Sequence, residues 1–306
     1  MKVGDILKVL LTVIALAYLF SMVDLRTVWN SLLTTNPLAY AFAIFMMLMS
    51  ILAKSYKWKL LLEQGELGFL SKSYFVGMLY GVFTPSKLGD FIRSFHVNNK
   101  YKTGLTRATI SVTFDRLLDM LCVFVFAAIS MFIVLGQGFG NNLMLAVVIV
   151  MVFGLILGYA YLDKFISSFM GLISRILGKG RLSITREKLR EEMLKTGYKR
   201  KSVFIISFAI WFTNVLGWWV FAMMLGMRIE FIYFFAATNI GTVVGLLPVT
   251  MGGFGTREAT NVYLLSLYGV PLEQGFVFSI MSTIIGIVLP GLVGAYLNIR
   301  HKEFTV

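Results

Sequence analysis

Long apolar runs recur along the chain, separated by short polar stretches. A bilayer core takes about 20 apolar residues in helical form. Runs of that order lie at Ile6–Val23, Leu38–Trp58, Ala108–Leu135, Leu143–Leu162, Val203–Leu225 and Phe276–Asn298. Two further apolar segments are different in kind. The first covers Phe69–Val97 and the second Phe231–Tyr268, and each is interrupted by a proline, several glycines and charged residues. Pro85 and Pro248 cannot sit mid-helix without losing a backbone hydrogen bond. Gly89 and Gly255 nearby permit a tight reversal. The pattern therefore predicts an all-α, polytopic membrane protein of six full spans and two re-entrant helical hairpins. A pair of short tilted helices or one kinked span would also satisfy each broken segment.

Composition agrees with the membrane assignment. Hydrophobic residues make up 58% of the 306, charged residues only 14%, and the mean hydropathy is +0.81. A soluble domain carries roughly 25% charged residues. The net charge of +13 would suggest nucleic acid in a soluble protein. Here its distribution gives another meaning. With a cytoplasmic N-terminus and two re-entrant hairpins, the basic residues gather on one side: Lys2, Lys8, Lys54, Lys57, Lys59, Lys72, Lys100, Lys102, Arg107, a dense run from Lys164 to Lys201, and Arg300 and Lys302. The opposite side holds Arg26 and Arg228. That asymmetry predicts a plasma-membrane protein with both termini cytoplasmic and no nucleic-acid partner.

The same topology gives the halves opposite orientation. Each reads span, span, hairpin, span, with half-repeats at 1–140 and 141–306. The hairpins echo one another: Gly77, Gly81, Pro85 and Gly89 parallel Gly241, Gly245, Pro248 and Gly252, and Gly89 with Arg93 parallels Gly253 with Arg257. Inverted repeats with paired Gly/Pro-broken segments mark transporters whose site lies near mid-depth.

Charges inside membrane segments are costly and mark sites by default. The first hairpin offers Lys87, Asp90 and Arg93, the third full span Asp115, Arg116 and Asp119, and the second hairpin Arg257 and Glu258. Arg116 is spaced to pair with Asp119, and Arg257 adjoins Glu258, so structural ion pairs compete with a ligand role for these acids. Arg93 and Arg257 stand out as phosphate ligands, because a guanidinium fork suits phosphate oxygens. Gly252, Gly253 and Gly255 would let backbone N–H groups approach the same anion. Asn214 and Asn239 read better as helix–helix hydrogen-bonding groups, and Trp211, Trp218 and Trp219 as packing. The single Cys122 excludes an intrachain disulfide, and His96 and His301 form no metal cluster, so no metal and no cofactor is expected. No Walker A, G-x-S-x-G or H-E-x-x-H motif occurs, which argues against ATP drive and against common hydrolase chemistry.

Four stretches resemble the flippase-like domain family, also called the lysylphosphatidylglycerol synthase transmembrane region. They are FTPSKLGDFIRSF at Phe83–Phe95, SVTFDRLLDML at Ser111–Leu121, LLPVTMGGFGTREA at Leu246–Ala259 and YGVPLEQG at Tyr268–Gly275. The family often has Glu where Asp90 and Asp115 stand, which keeps the charge and shortens its reach. The resemblance implies functional roles for Arg93, Asp115, Arg116, Asp119, Arg257 and Glu258. It also implies a non-enzymatic, stand-alone lipid translocator without the aminoacyl-transferase domain of bifunctional relatives. The expected cargo is an anionic or phosphate-bearing lipid, a phospholipid or a polyprenyl-phosphate-linked one. The alternative is a non-transporting anchor or regulatory subunit of a separate glycosyl- or aminoacyl-transferase. Oligomeric state stays open.

Overall fold

The computed structural model describes residues 3–21, 23–84, 89–135, 191, 200–247 and 249–304. Every regular element among them is helical. The helices are α1 (Val3–Ser21), α2 (Leu25–Thr34), α3 (Pro37–Leu62), α4 (Leu67–Phe83), α5 (Ile92–Tyr101), α6 (Leu105–Leu135), α7 (Arg200–Met224), α8 (Phe231–Leu246), α9 (Thr256–Leu267), α10 (Leu272–Thr283) and α11 (Leu289–Arg300).

Four of the six expected spans are helices long and apolar enough to cross a membrane: Pro37–Leu62, Leu105–Val134, Lys201–Met224 and Leu272–Arg300. The last joins α10 to α11 through a π turn at Ile284–Val288. That turn precedes Pro290, which has no N–H to donate to Gly286, so the extra residue absorbs a bond that proline would otherwise break. The expected span at Ile6–Val23 coincides with α1, Val3–Ser21, and a second helix follows it at an angle. Asp24 starts a new helix by accepting from the backbone N–H groups of Arg26 and Thr27. The chain then bends by 82° between Leu10–Ser21 and Leu25–Thr34. The span expected at Leu143–Leu162 lies outside the described residues, as do Pro85, Lys87 and Pro248.

Each broken segment is a pair of helices packed on each other, α4 with α5 and α8 with α9, and glycines set how closely the two arms approach. In the first, a Cβ on Gly89 would lie 2.2 Å from the carbonyl oxygen of Tyr80. In the second, a Cβ on Gly253 would lie 2.3 Å from that of Gly245. Real Cβ atoms do not come that close to backbone, so only glycine fits at either place. Farther from the break, Gly77 faces the side chain of Arg93, and Gly245 faces that of Arg257. Each hairpin thus seats an arginine of its second arm against a glycine of its first. The breaks also meet: Gly252 sits beside the carbonyl of Val82 at the end of α4.

Around the hairpins, α4 packs on α11, α8 on α6 and α9, and α7 on α3. Gly294 permits the first of these contacts, since a Cβ there would lie 2.2 Å from the Phe75 carbonyl. Apolar side chains on the outer faces stay exposed, among them Phe45 on α3, Ile205 on α7 and Leu292 and Ile299 on α11. In a membrane these faces meet lipid tails.

Candidate functional site

The first half of the site is a buried charge network between α3 and α6. Asp115 and Asp119 are one helical turn apart and share a face. Lys57 of α3 reaches both, at 2.9 Å from Asp115 Oδ1 and 2.5 Å from Asp119 Oδ1. The Lys57 side chain has no exposure. The other oxygen of Asp115 accepts from Arg93 Nη2 at 3.1 Å. Arg93 is fully buried, and its guanidinium lies 4.7 Å from the Trp58 ring and 4.3 Å from the Tyr74 ring. Its Nε donates to the Asp90 carbonyl at 3.3 Å. A guanidinium between two aromatic faces is held by cation–π attraction as well as by its carboxylate.

Arg116 points away from this network because it follows Asp115 by one residue, about 100° around the helix. It pairs with Asp90, whose side chain is fully buried. The expected Arg116–Asp119 pair is therefore replaced by Arg116–Asp90 and Lys57–Asp119. Trp211 of α7 closes the network by donating Nε1–H to Asp119 Oδ1 at 3.1 Å.

The second half is built on α9. Glu258, almost fully buried, accepts from the Gly255 N–H at 2.7 Å and from Arg257 at 2.8 Å, and Thr283 of α10 donates to the same carboxylate. Glu258 thereby caps its own helix. The Gly255 donor is spent on it, so that N–H does not face a ligand as the sequence suggested. Gly252, Gly253 and Gly255 all hold positive φ, at 62°, 80° and 86°. Their part in the structure is to carry the chain from α8 back into α9.

A cavity of about 230 Å³ lies between the two halves. Asp90, Arg116 and Arg257 line it. Arg116 and Arg257 keep 21% and 22% side-chain exposure, whereas Arg93 has none. The pair of arginines open to the cavity is thus Arg116 and Arg257. Arg93, Asp115, Asp119 and Glu258 stand behind it as a buried second rank. Asn214, Asn239, Trp211 and Trp218 also line the cavity. Asn239 still makes a helix bond, donating to the Phe235 carbonyl at 2.7 Å.

The family model for the lysylphosphatidylglycerol synthase TM region matches residues 6–294. The chain belongs to that family. Its relatives include the UPF0104 membrane protein of Pyrococcus horikoshii, 21% identical over 86% of this chain and 87% of its own length. That of Methanocaldococcus jannaschii is 21% identical over 96% of this chain and 95% of its own. That of Methanothermobacter thermautotrophicus is 21% identical over 88% of this chain and 87% of its own.

In this member of the lysylphosphatidylglycerol synthase TM-region family, the charge network and the cavity also contain residues that the sequence pattern does not single out. The charge asymmetry puts Lys54 and Lys57 on the cytoplasmic side, at the end of the expected span Leu38–Trp58. The helix continues to Leu62, with Trp58, Leu61 and Leu62 buried, so Lys57 is carried into the core. The apolar Trp58, Leu61 and Leu62 at helical spacing were the available signal. Asn261 and Thr283 carried no such signal, since their place depends on how α9 packs on α8 and α10.

Proposed function

We propose that this protein moves a phosphate-bearing lipid between the leaflets of the cell membrane. The observation that carries the reading is the meeting of two glycine-pinned breaks beside a cavity into which Arg116 and Arg257 open. In the proposed arrangement the halves 1–140 and 141–306 form an inverted repeat and both hairpins are re-entrant, with the termini cytoplasmic. The lipid headgroup enters the cavity and exchanges water for guanidinium donors, while its tails remain in the bilayer. Buried ion pairs behind the cavity hold those donors in position. The reading has the support of the family, whose name ties the fold to lipid chemistry.

The test is leaflet exchange in proteoliposomes, using headgroup-labelled lipids and the variants Arg116→Gln and Arg257→Gln. Exchange that falls in both variants supports the proposal. Absence of exchange from folded wild-type protein overturns it and favours an accessory role beside a lipid-modifying transferase.

A further inference from the structure

Helix α2, ten residues long, stands apart from the cavity. At about 100° per residue its five apolar side chains, Leu25, Val28, Trp29, Leu32 and Leu33, fill one arc of roughly 140°. Arg26, Thr27, Asn30, Ser31 and Thr34 fill the remainder. The apolar arc is divided. Val28 and Leu32 lie in one cluster with Phe276 and Val277 of α10, against which α2 packs. Leu25, Trp29 and Leu33 are 54%, 62% and 67% exposed. One edge of the arc is docked on the protein and the other is bare.

The place of α2 in the fold indicates what covers the bare edge. It ends at Thr34, and α3, long and apolar enough to cross a membrane, begins at Pro37. So α2 lies beside the end of a span, at the bilayer boundary. Leu38, in the first turn of α3, is also exposed, and the stripe therefore continues onto the lipid-facing surface of that span. The 82° bend sets α2 nearly at right angles to α1. Its length, about 15 Å, is too short to cross a bilayer. A second copy of the chain is a poorer occupant. Three side chains alone fall well short of the roughly 800 Å² per partner of a standard protein interface.

We infer that α2 is an interfacial helix, lying in the membrane plane at the boundary between headgroups and acyl chains, with Leu25, Trp29 and Leu33 in the lipid. The inference rests on the membrane fold and not on transport. Trp29 suits that depth, because its ring is apolar and its N–H polar. Arg26 stands at the edge of the polar arc, where its guanidinium reaches headgroup phosphates. The other polar side chains face water. The placement bears on the site through α10, which carries Ser282 on the cavity lining and Thr283 on the Glu258 carboxylate. By docking on α10, α2 holds that side of the cavity at a set depth below the headgroup layer.

Depth-dependent quenching on the full chain in proteoliposomes tests this. A fluorescent label goes on Leu25→Cys, Leu33→Cys, Asn30→Cys and Thr34→Cys in turn, with Trp29 kept. Wild-type protein, whose single Cys122 is buried, gives the labelling background. A lipid nitroxide near the headgroup should quench the labels at 25 and 33 about threefold more than those at 30 and 34. It should also quench them more than a nitroxide deep in the acyl chains does. Aqueous iodide should give the reverse order of positions. Equal iodide access at all four positions overturns the inference. So does strongest quenching of 25 and 33 by the deep nitroxide, which would sink α2 into the bilayer core. Labels at 25 and 33 shielded from both quenchers would show a protein surface on the stripe, a second copy included, and overturn it as well. Two positions on each edge keep the comparison readable if one variant fails to fold.

Discussion

Lys57 and Asp119 meet 2.5 Å apart with almost no access to solvent, one from α3 and the other from α6. Removing one partner of a buried pair leaves an uncompensated charge and costs about 3–5 kcal/mol. Lys57→Met should therefore lower the melting temperature of the purified protein sharply. Adding Asp119→Asn to Lys57→Met should recover part of the loss, because the stranded charge is removed. A double variant no more stable than the single one would show that the pair is not coupled.

Arg93 looked from the sequence like a ligand whose loss would stop transport and spare the fold. Its surroundings predict the opposite order of effects. Arg93→Ala strips Asp115 of a partner and empties the space between Trp58 and Tyr74. Folded yield and melting temperature should fall well before activity can be judged. Arg93→Lys should rescue incompletely, since an ammonium lacks the flat face that stacks on both rings. A fully stable Arg93→Ala protein would refute this placement.

Glycine at the hairpin breaks is a steric requirement. Gly89→Ala and Gly253→Ala would each push a methyl group into backbone, at 2.2 Å and 2.3 Å. Both should reduce folded protein in detergent. Gly253→Ala carries the added strain of a positive φ, worth about 1 kcal/mol or more. Gly291→Ala is the matched control, because a Cβ there meets nothing within 4 Å and the site is helical. Equal behaviour of all three variants would count against the tight hairpins.

Phe304 is fully buried near the C-terminus. It stacks on Phe69 at 5.1 Å, and its carbonyl lies 3.1 Å from His96 Nε2. Phe304→Ala should cost about 3–5 kcal/mol of stability. Because Phe304 is remote from the cavity lining, lipid preference should not change. Measuring melting temperature and lipid selectivity on the same preparation separates the two.

Much of the fold was legible because span length and proline position are local properties. Leu38–Trp58 and Val203–Leu225 read directly as helices, and both breaks fall where glycine, proline and charge cluster. The bend at Asp24 was less visible, since an apolar run does not reveal that a capping side chain restarts the helix. In the site, Asp90, Arg116 and Arg257 were found because charges in apolar segments are conspicuous. Their partners were not, because pairing depends on which helix faces which. Asp119 had a basic neighbour in sequence, yet it pairs with Lys57 from another helix. The same reason hid Asn261, an ordinary amide until α9 is packed on α8.

The most direct test of the account is leaflet exchange by wild-type protein in proteoliposomes, beside Arg116→Gln and Arg257→Gln variants of matched thermal stability. The account predicts exchange of a phosphate-bearing lipid by the wild type and at least a tenfold slower rate, roughly, in each variant. Exchange at the wild-type rate in both variants, or none from the folded wild type, would contradict it.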